Sequence, residues 1–482
     1  MAQTWEKLIK TPQDEVCYDA VEMNNGDFLL LFSYNSIPSF GNYNKSKIYK
    51  MDKLGNMIDS VELEAPNGFK AIIVRYFIKY PEADSSYLVY AELQNATNNY
   101  GKSIVFKIDG HLNIYWSKVF GQENAQNFLS QYCIGKNNHI VFTGFDFVTE
   151  DALLIEIDSA ANEIYTKRSK GADVLSTIYY EPNKNYYKVY NTSAQMIYTY
   201  DANTFERMDT TLYLLIPSNT TSISPQGVKT VISQEGDTTY LFPGYMYISD
   251  TVPPYHNEWD MGFMRINDKT EVLDYHHYGK RDTTDYYSNF NFDYIDTNKI
   301  FLASTSNVLV TPSYPPDMEP RRHWLDVANI KIDGTVNWQY YYKGDVCYYL
   351  DKTLATKDGG ALLLATRHDW NEPGPLQKDV LIIKIDSLGH YTPNGISKYE
   401  EPQQILVYPN PAKDYININT GLYDKLILQI YNTQGQRVCE QKLTQGLSQI
   451  NISNYMSGLY LYQVTDDKGK VIGKGKWVKA GK

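Results

Sequence analysis

The sequence predicts an all-β fold, in which a seven-bladed β-propeller closed by its N-terminal strand precedes a C-terminal immunoglobulin-like β-sandwich. Three observations predict it. A unit recurs seven times before residue 396, apolar residues alternate with polar ones at the period of a strand, and the composition changes near residue 400. We therefore expect a propeller over 1–396, a linker over 397–404 and the sandwich over 405–482.

Each repeat ends in a β-rich run that closes on an apolar residue followed by Asp or Asn, often with glycine next. The seven copies are IYKMDKLG, IVFKIDG, LLIEIDSA, MIYTYDAN, GFMRIND, VANIKIDG and VLIIKIDSLG. A second strand-like run precedes each of them: DFLLLFSY, SYLVYAEL, HIVFTGFD, NYYKVYN, TYLFPGYM, KIFLAST and GALLLAT. Their spacing is close to the ~40–50 residues of a propeller blade. Asp caps a turn and Gly accepts a positive φ, so each pair predicts a hairpin; a calcium loop is the alternative, although no EF-hand pattern is present.

The tryptophans indicate where each blade begins and ends. Trp116 and Trp338 each follow such a turn and precede the next turn pair by 21 residues, and Trp5 has the same spacing to Gly26. The chain thus begins with the strand that should finish a blade, whereas the seventh copy lacks one. We predict that the segment around Trp5 completes the last blade, since a closed ring removes exposed strand edges.

Charge and composition exclude several classes of protein. The net charge of −11 argues against nucleic acid or anionic lipid as the main partner. The charge is uneven, with ten Lys and Arg against five Asp and Glu from residue 405 onward. No apolar run reaches the ~18–20 residues of a transmembrane segment. Met1 is followed by no basic or apolar signal segment. If the chain is exported, we therefore expect that a signal peptide precedes this sequence and is removed.

The four cysteines form no CxxC pair, so a metal site built on them is not expected. Cys17 and Cys347 both lie in a Val-Cys-Tyr tripeptide, which could place them at equivalent points of neighbouring repeats, but buried free thiols are the favoured interpretation.

The C-terminal segment carries three ordered motifs: YPNP from Tyr408, IYNxxG ending at Gly435, and SGLYLY from Ser457, followed by a basic final strand. Together they resemble the type A C-terminal sorting domain of the type IX secretion system. A generic glycan-binding immunoglobulin-like appendage is the alternative.

That resemblance implies export across the outer membrane of a Bacteroidetes-type bacterium, with the translocon as partner. It also implies removal of the domain and attachment of the protein to surface lipopolysaccharide. The residues that match the sorting motifs are Pro409, Asn410, Pro411, Gly458 and Tyr460, and the basic final strand contributes Lys474, Lys476 and Lys479.

Long loops between the second and third strands of blades five to seven predict a ligand-binding surface, because function concentrates on variable loops of a rigid scaffold. Aromatic rings beside cationic side chains suit a glycan or a protein ligand, although the tryptophans could instead pack their own loops. The candidate residues are Tyr255, His256, Trp259, Tyr314, Arg321, Arg322, His323, Trp324, Arg367, His368 and Trp370.

No catalytic motif is present, and the sequence predicts no catalytic residues, no metal site and no cofactor. The leading hypothesis is therefore a noncatalytic binding module that is secreted or anchored to the cell surface. A carbohydrate-active or other hydrolytic enzyme is the first alternative, and two convergent carboxyl groups with strongly shifted pKa values would favour it. A structural or adhesion component of the surface is the second alternative.

Overall fold

A computed structural model gives the structure of the chain. It describes residues 4–11, 14–35, 45–78, 86–95, 101–121, 127–146, 148–170, 175–191, 196–212, 220–225, 229–232, 238–249, 257–267, 269, 271–279, 284–286, 292–308, 323–344, 346–369, 378–391, 398–400, 406–420, 425–444, 447–467, 469 and 471–481. The chain forms two compact units, Met1–Ser397 and Lys398–Lys482. Both are built from β-strands, which confirms the all-β fold class.

The first three sheets of unit 1 each consist of four strands that follow one another in the chain. Sheet 1 contains β2 (Glu15–Glu22), β3 (Phe28–Tyr34), β4 (Lys45–Met51) and β5 (Met57–Leu63). Sheet 2 contains β6 (Phe69–Ile78), β7 (Ser86–Asn95), β8 (Ser103–Asp109) and β9 (Ile114–Phe120). Sheet 3 contains β10 (Asn127–Ile134), β11 (Ile140–Asp146), β12 (Asp151–Ile157) and β13 (Glu163–Lys170), with a 3₁₀ turn at Lys136–Asn138.

The next three sheets follow the same plan. Sheet 4 contains β14 (Leu175–Glu181), β15 (Tyr186–Asn191), β16 (Met196–Asp201) and β17 (Arg207–Leu212). Sheet 5 contains β18 (Thr220–Pro225), β19 (Lys229–Ile232), β20 (Thr238–Ser249), β21 (Asn257–Asn267) and β22 (Val272–Tyr278). Sheet 6 contains β23 (Thr284–Tyr286), β24 (Phe292–Asp296), β25 (Lys299–Val308), β26 (Trp324–Ile330) and β27 (Val336–Tyr342). In sheets 5 and 6 the first strand is split into two pieces that pair with the same neighbour.

Sheet 7 combines strands from both ends of unit 1. It contains β28 (Cys347–Ala355), β29 (Ala361–His368) and β30 (Lys378–Ile385), and it also contains β1 (Trp5–Lys10). Strand β1 pairs antiparallel with β30, with Trp5 opposite Lys384 and Ile9 opposite Val380. In the other six sheets a strand from the same stretch of chain holds this fourth position.

Seven clusters of buried apolar side chains each combine two of these sheets. They join sheets 1 and 2, 2 and 3, 3 and 4, 4 and 5, 5 and 6, 6 and 7, and 7 and 1. The cluster of sheets 7 and 1 includes Trp5 of β1, Leu362 of β29 and Phe28 of β3. Burial of such surface stabilises the fold by about 25 cal/mol per Å².

The repeat motif has a physical explanation in the contact between one sheet and the next. The Trp5 indole donates a hydrogen bond to the Lys53 backbone oxygen at 2.9 Å, in the turn between β4 and β5. Gly55 ends that turn at φ 84°, and a Cβ there would lie 2.8 Å from the Trp5 ring. Trp338 makes the same contact with the turn after β30, where its indole donates to Ser387 at 3.0 Å. At these two contacts the approach of the ring leaves no room for a Cβ, so the tryptophan favours glycine there. In the cluster of sheets 2 and 3, where Trp116 packs, Ala161 holds the corresponding position with φ 56°.

The Asp side chain caps these turns as the sequence predicts. Asp52 Oδ1, for example, accepts from the backbone N–H groups of Leu54 at 2.9 Å and Asn56 at 2.8 Å. The expectation that the glycine after Asp takes the positive φ is wrong at Gly110. Leu112 has φ 67° in that turn, because the left-handed position lies three residues after the capping Asp.

All four cysteines are free, and Cys17 and Cys347 are buried. Both lie on the first strand of their sheets, β2 and β28, which are neighbours across the cluster of sheets 7 and 1.

Unit 2 is a small sandwich built around Trp477, whose side chain is fully buried. One sheet has the order β32-β33-β36 and the other the order β35-β34-β37-β38. The strands of these sheets are β32 (Leu406–Tyr408), β33 (Tyr415–Asn419), β34 (Leu426–Tyr431), β35 (Arg437–Leu443), β36 (Leu447–Asn451), β37 (Gly458–Thr465) and β38 (Val471–Lys479). The short strand β31 (Lys398–Glu400) begins the unit and belongs to neither sheet of the sandwich.

Replacing Trp5 with alanine should destabilise unit 1 by about 3–5 kcal/mol, because the ring is buried between two sheets and its loss leaves a cavity. Ile58→Ala is the control, since that side chain is 53% exposed on β5. Chemical denaturation measures both variants. Equal stability of the two would contradict the role of Trp5.

Candidate functional site

The structure describes five of the eleven residues predicted to bind a ligand: Trp259, His323, Trp324, Arg367 and His368. The other six lie outside the described residues: Tyr255, His256, Tyr314, Arg321, Arg322 and Trp370. Arg367 and His368 end β29, Trp324 begins β26 directly after His323, and Trp259 lies near the beginning of β21. All five therefore lie at the end of their sheets where the second strand connects to the third.

Arg367 and His368 are buried at the end of β29 rather than exposed on a loop. Arg367 donates a hydrogen bond to Asp369 at 2.9 Å and lies 3.5 Å from a carboxylate oxygen of Asp379. Burial lowers the pKa of His368, and the charge of Lys378 lowers it further. The Arg367 guanidinium is thus already paired inside the protein, and the His368 imidazole is neutral at pH 7.

Two other sheets have a related arrangement at the same end. In sheet 3, Arg168 donates to Asp146 at 2.6 Å and lies 3.7 Å from Asp151, the first residue of the third strand. In sheet 5, the His277 imidazole lies 2.6 Å from Asp260 Oδ2. These buried carboxylates with a basic partner fix the ends of the strands from which the loops emerge.

His323 and Trp324 connect sheet 6 to sheet 7. The backbone oxygen of buried His323 accepts from Tyr348 N–H on β28 at 3.3 Å. Trp324 is partly exposed, and Lys343 Nζ lies 4.4 Å from the centre of its ring and 5.9 Å from that of Tyr341. An ammonium group at this distance attracts the face of an indole ring. Trp324, Tyr341 and Lys343 thus form a mixed aromatic and cationic group, which we name the Trp324 group.

Trp259, at the start of β21, packs against Tyr247 of β20 with 5.1 Å between ring centres. Its side chain is partly exposed. Of the five described candidates, the two tryptophans are therefore the ones with surface available to a ligand.

A group of three buried aspartates lies between sheets 5 and 6: Asp260 of β21, Asp285 of β23 and Asp326 of β26. Burial raises the pKa of Asp285, and the neighbouring charges of Asp326 and Asp260 raise it further. Burial raises the pKa of Asp326 to about 7, against the hydrogen bonds that the Gln339 amide donates to both of its oxygens at 2.9 Å. Near neutral pH the Asp326 carboxyl group can therefore both hold and release a proton.

A second polar group, which is half-buried, lies in sheet 7 and reaches Asp14 next to sheet 1. Burial raises the pKa of Asp351 to about 7, whereas the Thr366 hydroxyl, which donates to it at 2.7 Å, and the charge of Lys378 lower it. Burial lowers the pKa of Lys378, whose backbone N–H donates to Asp14 at 3.0 Å.

Within the described ranges, no cluster of three or more His, Cys, Asp or Glu side chains is arranged to hold a metal ion. The described part of the chain also contains no helix long and apolar enough to cross a bilayer.

The sorting residues of unit 2 divide into core and surface positions. Tyr460 stacks on Trp477 with 4.9 Å between ring centres, and its hydroxyl donates to the Met456 backbone oxygen at 2.9 Å. Gly458 has φ 153°, which side chains rarely tolerate, so this position favours glycine. The glycine of the SGLYLY motif therefore has a conformational basis.

The YPNP motif is fixed to the last strand of the chain. Asn410 Oδ1 accepts from Val478 N–H at 2.9 Å, and it lies between Pro409 and Pro411, which are exposed. Lys474 and Lys476 are exposed on β38, opposite Gln463 and Leu461 of β37, whereas Lys479 is buried.

Residues 406–478 match the family described as the secretion system C-terminal sorting domain. This segment is a sorting domain. It implies engagement with the type IX secretion system, and hence a secreted or cell-surface protein of the Bacteroidetes type. The sorting domain follows an all-β, propeller-like unit.

Over 174 residues the chain is 28% identical to a protein named "Ulvan lyase NLR42" from Nonlabens ulvanivorans. The match covers 36% of this chain and 28% of that protein, so the chain spans under a third of the length of this relative.

Several solved structures resemble the chain in fold at low sequence identity. A fungal alcohol oxidase of the AA5 family in complex with copper has a TM-score of 0.48 at 11% identity and covers 100% of both chains. The β-propeller domain of Cps50 (Swd1) from Myceliophteria thermophila has a TM-score of 0.39 at 11% identity, and covers 78% of this chain and 98% of its own. A GH43 β-1,3-galactosidase has a TM-score of 0.32 at 8% identity, and covers 53% of this chain and 91% of its own.

Arg367→Ala should destabilise unit 1 by about 3–5 kcal/mol, because it leaves the Asp369 and Asp379 carboxylates buried without their cation. Lys45→Ala is the control: its pair with Glu62 is 48% and 40% exposed, so its loss should cost about 0–1 kcal/mol. Denaturant titration at pH 7 separates the two. Equal losses would show that the Arg367 pairs do not hold the strand ends.

Proposed function

We propose that residues 1–396 form a seven-bladed β-propeller closed by the N-terminal strand and that residues 397–404 are a linker. Residues 405–482 are then the sorting domain that the translocon recognises. The cyclic order of the seven apolar clusters supports the propeller, since each sheet shares a core with two neighbours and sheet 7 shares one with sheet 1. The pairing of β1 with β30 supports closure. On this proposal, the ligand-binding loops of blades five to seven emerge from one face of the ring.

We propose that the translocon contacts the two exposed lysines of the last strand, Lys474 and Lys476, which we name the basic row. Lys474 and Lys476 are exposed, and their side chains do not contribute to the Trp477 core. We further propose that the translocated protein loses this domain and is attached to the outer surface of the cell.

Reversing the charge of both lysines (Lys474→Glu with Lys476→Glu) should leave unit 2 folded and reduce export severalfold, with precursor retained in the cell envelope. Lys442→Glu, an exposed lysine on β35 of the same sheet, is the matched control and should be exported normally. Deletion of 405–482 should abolish export. Normal secretion of the deletion variant would contradict the role of the tail, and normal secretion of the double variant would contradict the role of the basic row.

The exported propeller is proposed to bind a polysaccharide without altering it, and the Trp324 group is the observation that carries this proposal. Aromatic faces stack on the C–H surfaces of sugar rings, and an exposed ammonium group pairs with acidic sugar substituents. Lys343 is exposed and lies over both rings of the group. An anionic polysaccharide is therefore the favoured class of ligand. Trp259 is a second contact, and the undescribed loop residues from Tyr255 to Trp370 remain predicted contacts.

A carbohydrate-active enzyme is the second candidate. The pKa of Asp326, about 7, lies in the range that suits a general acid or base near neutral pH. The partial relative is named as a ulvan lyase, and its 174-residue match is longer than unit 2, so some of it falls in unit 1. Against catalysis, the Asp326 side chain is fully buried and is not exposed to a substrate.

A glycan array probed with the intact chain should detect an acidic polysaccharide. Trp324→Ala and Lys343→Glu should each weaken binding by about tenfold or more, corresponding to ~1.4 kcal/mol. Tyr115→Ala, a ring 57% exposed on β9, is the matched control and should bind normally. Equal binding by all variants would remove the Trp324 group from the site.

A separate assay distinguishes binding from catalysis. Release of unsaturated or reducing ends from the polysaccharide, lost in Asp326→Asn, would establish the enzyme instead.

A further inference from the structure

The junction of sheets 5 and 6 concentrates acidic charge to an unusual degree. Asp260, Asp285 and Asp326 are 4%, 3% and 0% exposed, and they come from three different strands, β21, β23 and β26. Ionised carboxylates removed from water in this way are costly unless cations or hydrogen bonds compensate them.

The charges of these three carboxylates are only partly compensated by neighbouring groups. From β22, His277 pairs with Asp260, but its side chain is 44% exposed. From β27, Gln339 donates to Asp326, and Tyr341 contributes a hydroxyl that is neutral because burial and the charge of Asp326 raise its pKa. In the described part of the chain, no lysine or arginine forms an ion pair with any of the three aspartates.

Several polar atoms at the junction lack any hydrogen-bond partner. Among the described residues, they include Oδ1 of Asp260, Oδ1 of Asp285, the hydroxyl of Ser304, which is fully buried opposite Asp326 on β25, and the hydroxyl of Ser306, which is fully buried opposite Asp285 on the same strand. A carboxyl group that carries a proton can donate to such an acceptor, whereas an ionised one cannot. The unsatisfied oxygens of Asp260 and Asp285 are therefore accommodated better when one carboxyl group of the junction carries a proton.

One of the aspartates also links the two sheets directly. Asp285 Oδ2, from sheet 6, accepts from the Met261 backbone N–H of sheet 5 at 3.2 Å. Repulsion within the acidic group thus acts on the contact that holds β21 against β23.

We propose that the junction of sheets 5 and 6 is a proton-operated latch, which is closed while Asp285 and Asp326 carry protons and loosens when both are ionised beside Asp260. Opening exposes the Asp285 and Asp326 carboxyl groups to water and returns their pKa values to the ordinary range near 4. The closed junction therefore binds more protons than the open one, and rising pH favours opening. For the Asp326 proton, this change extends from about pH 4 to about pH 7 and then levels off.

The latch has a consequence for the surface above it. Trp259 directly precedes Asp260, and Trp324 lies two residues before Asp326. Opening of the junction would shift both rings relative to each other. This inference concerns the free protein and does not depend on the identity of any ligand.

Hydrogen–deuterium exchange of the intact chain between pH 5 and pH 8 tests the latch, with labelling times scaled to the intrinsic exchange rate at each pH. The opening constant of β21, β23 and β26 should rise by up to about tenfold per pH unit for each proton released, while β11 and β12 of sheet 3 stay constant. Asn is nearly isosteric with a protonated Asp. Asp326→Asn should therefore remove the contribution of one proton to the pH dependence of the opening constant. Asp285→Asn combined with Asp326→Asn should flatten it.

Asp151→Asn is the matched control, because Asp151 is a buried aspartate in sheet 3 that is paired with Arg168. It should leave the slope at the junction of sheets 5 and 6 unchanged. Exchange in wild-type β21 and β23 that does not depend on pH would overturn the latch without any variant being needed. A slope that persists in the double variant would assign the pH dependence to other groups and overturn it as well.

Discussion

The structure of unit 1 depends on one long-range pairing, between β1 and β30. Six of its sheets form from continuous stretches of chain, whereas sheet 7 needs Trp5–Lys10 beside Lys378–Ile385. The entropy cost of closing so long a loop grows only with the logarithm of its length. The ladder of β1 and the burial of Trp5 against Gly55 offset that cost, and they also cover the strand edge that β30 would otherwise expose.

The same constraint determines where polar chemistry can occur. Once apolar clusters fill the contacts between neighbouring sheets, buried charged groups are found towards the strand ends, near the loops. There, Arg367 and Arg168 are neutralised by carboxylates on their own sheets. The group of Asp260, Asp285 and Asp326 differs, because it spans two sheets and, among the described residues, pairs with no lysine or arginine. For this reason we propose that Asp285 and Asp326 make this junction respond to pH, whereas the paired groups mainly hold the strands in place.

The repeat could be predicted from the sequence because its determinants are local. An alternating run and a capping Asp or Asn specify the hairpins, and at Gly55, Leu112, Ala161 and Gly389 a positive φ follows three residues after the Asp. The tryptophan spacing reflects contact with the next sheet. The tail could be predicted for a similar reason, since Asn410, Gly458 and Tyr460 each satisfy a local backbone or packing requirement.

The candidate site was harder to predict because its members are brought together across sheets. Asp326 and Asp351 each interrupt a largely apolar or aromatic strand, which is the one local signal that could have identified them, whereas Asp285 lies in a polar stretch without such a signal. Their proximity to other acidic groups depends on the packing of neighbouring sheets. Arg367, His368 and His323 suggested an exposed loop surface, but each is buried, because the strand ends extend further into the loops than alternation indicates. Trp259 and Trp324 retain exposed surface.

The most direct test of ring closure is the exchange protection of β1 in the intact chain. If Trp5–Lys10 completes sheet 7, its amides that pair with β30 should exchange as slowly as those that pair β29 with β30. Amides of β1 that exchange at the rate of an unpaired terminal segment, while β29 and β30 remain protected, would contradict closure and leave the seven sheets as an open array.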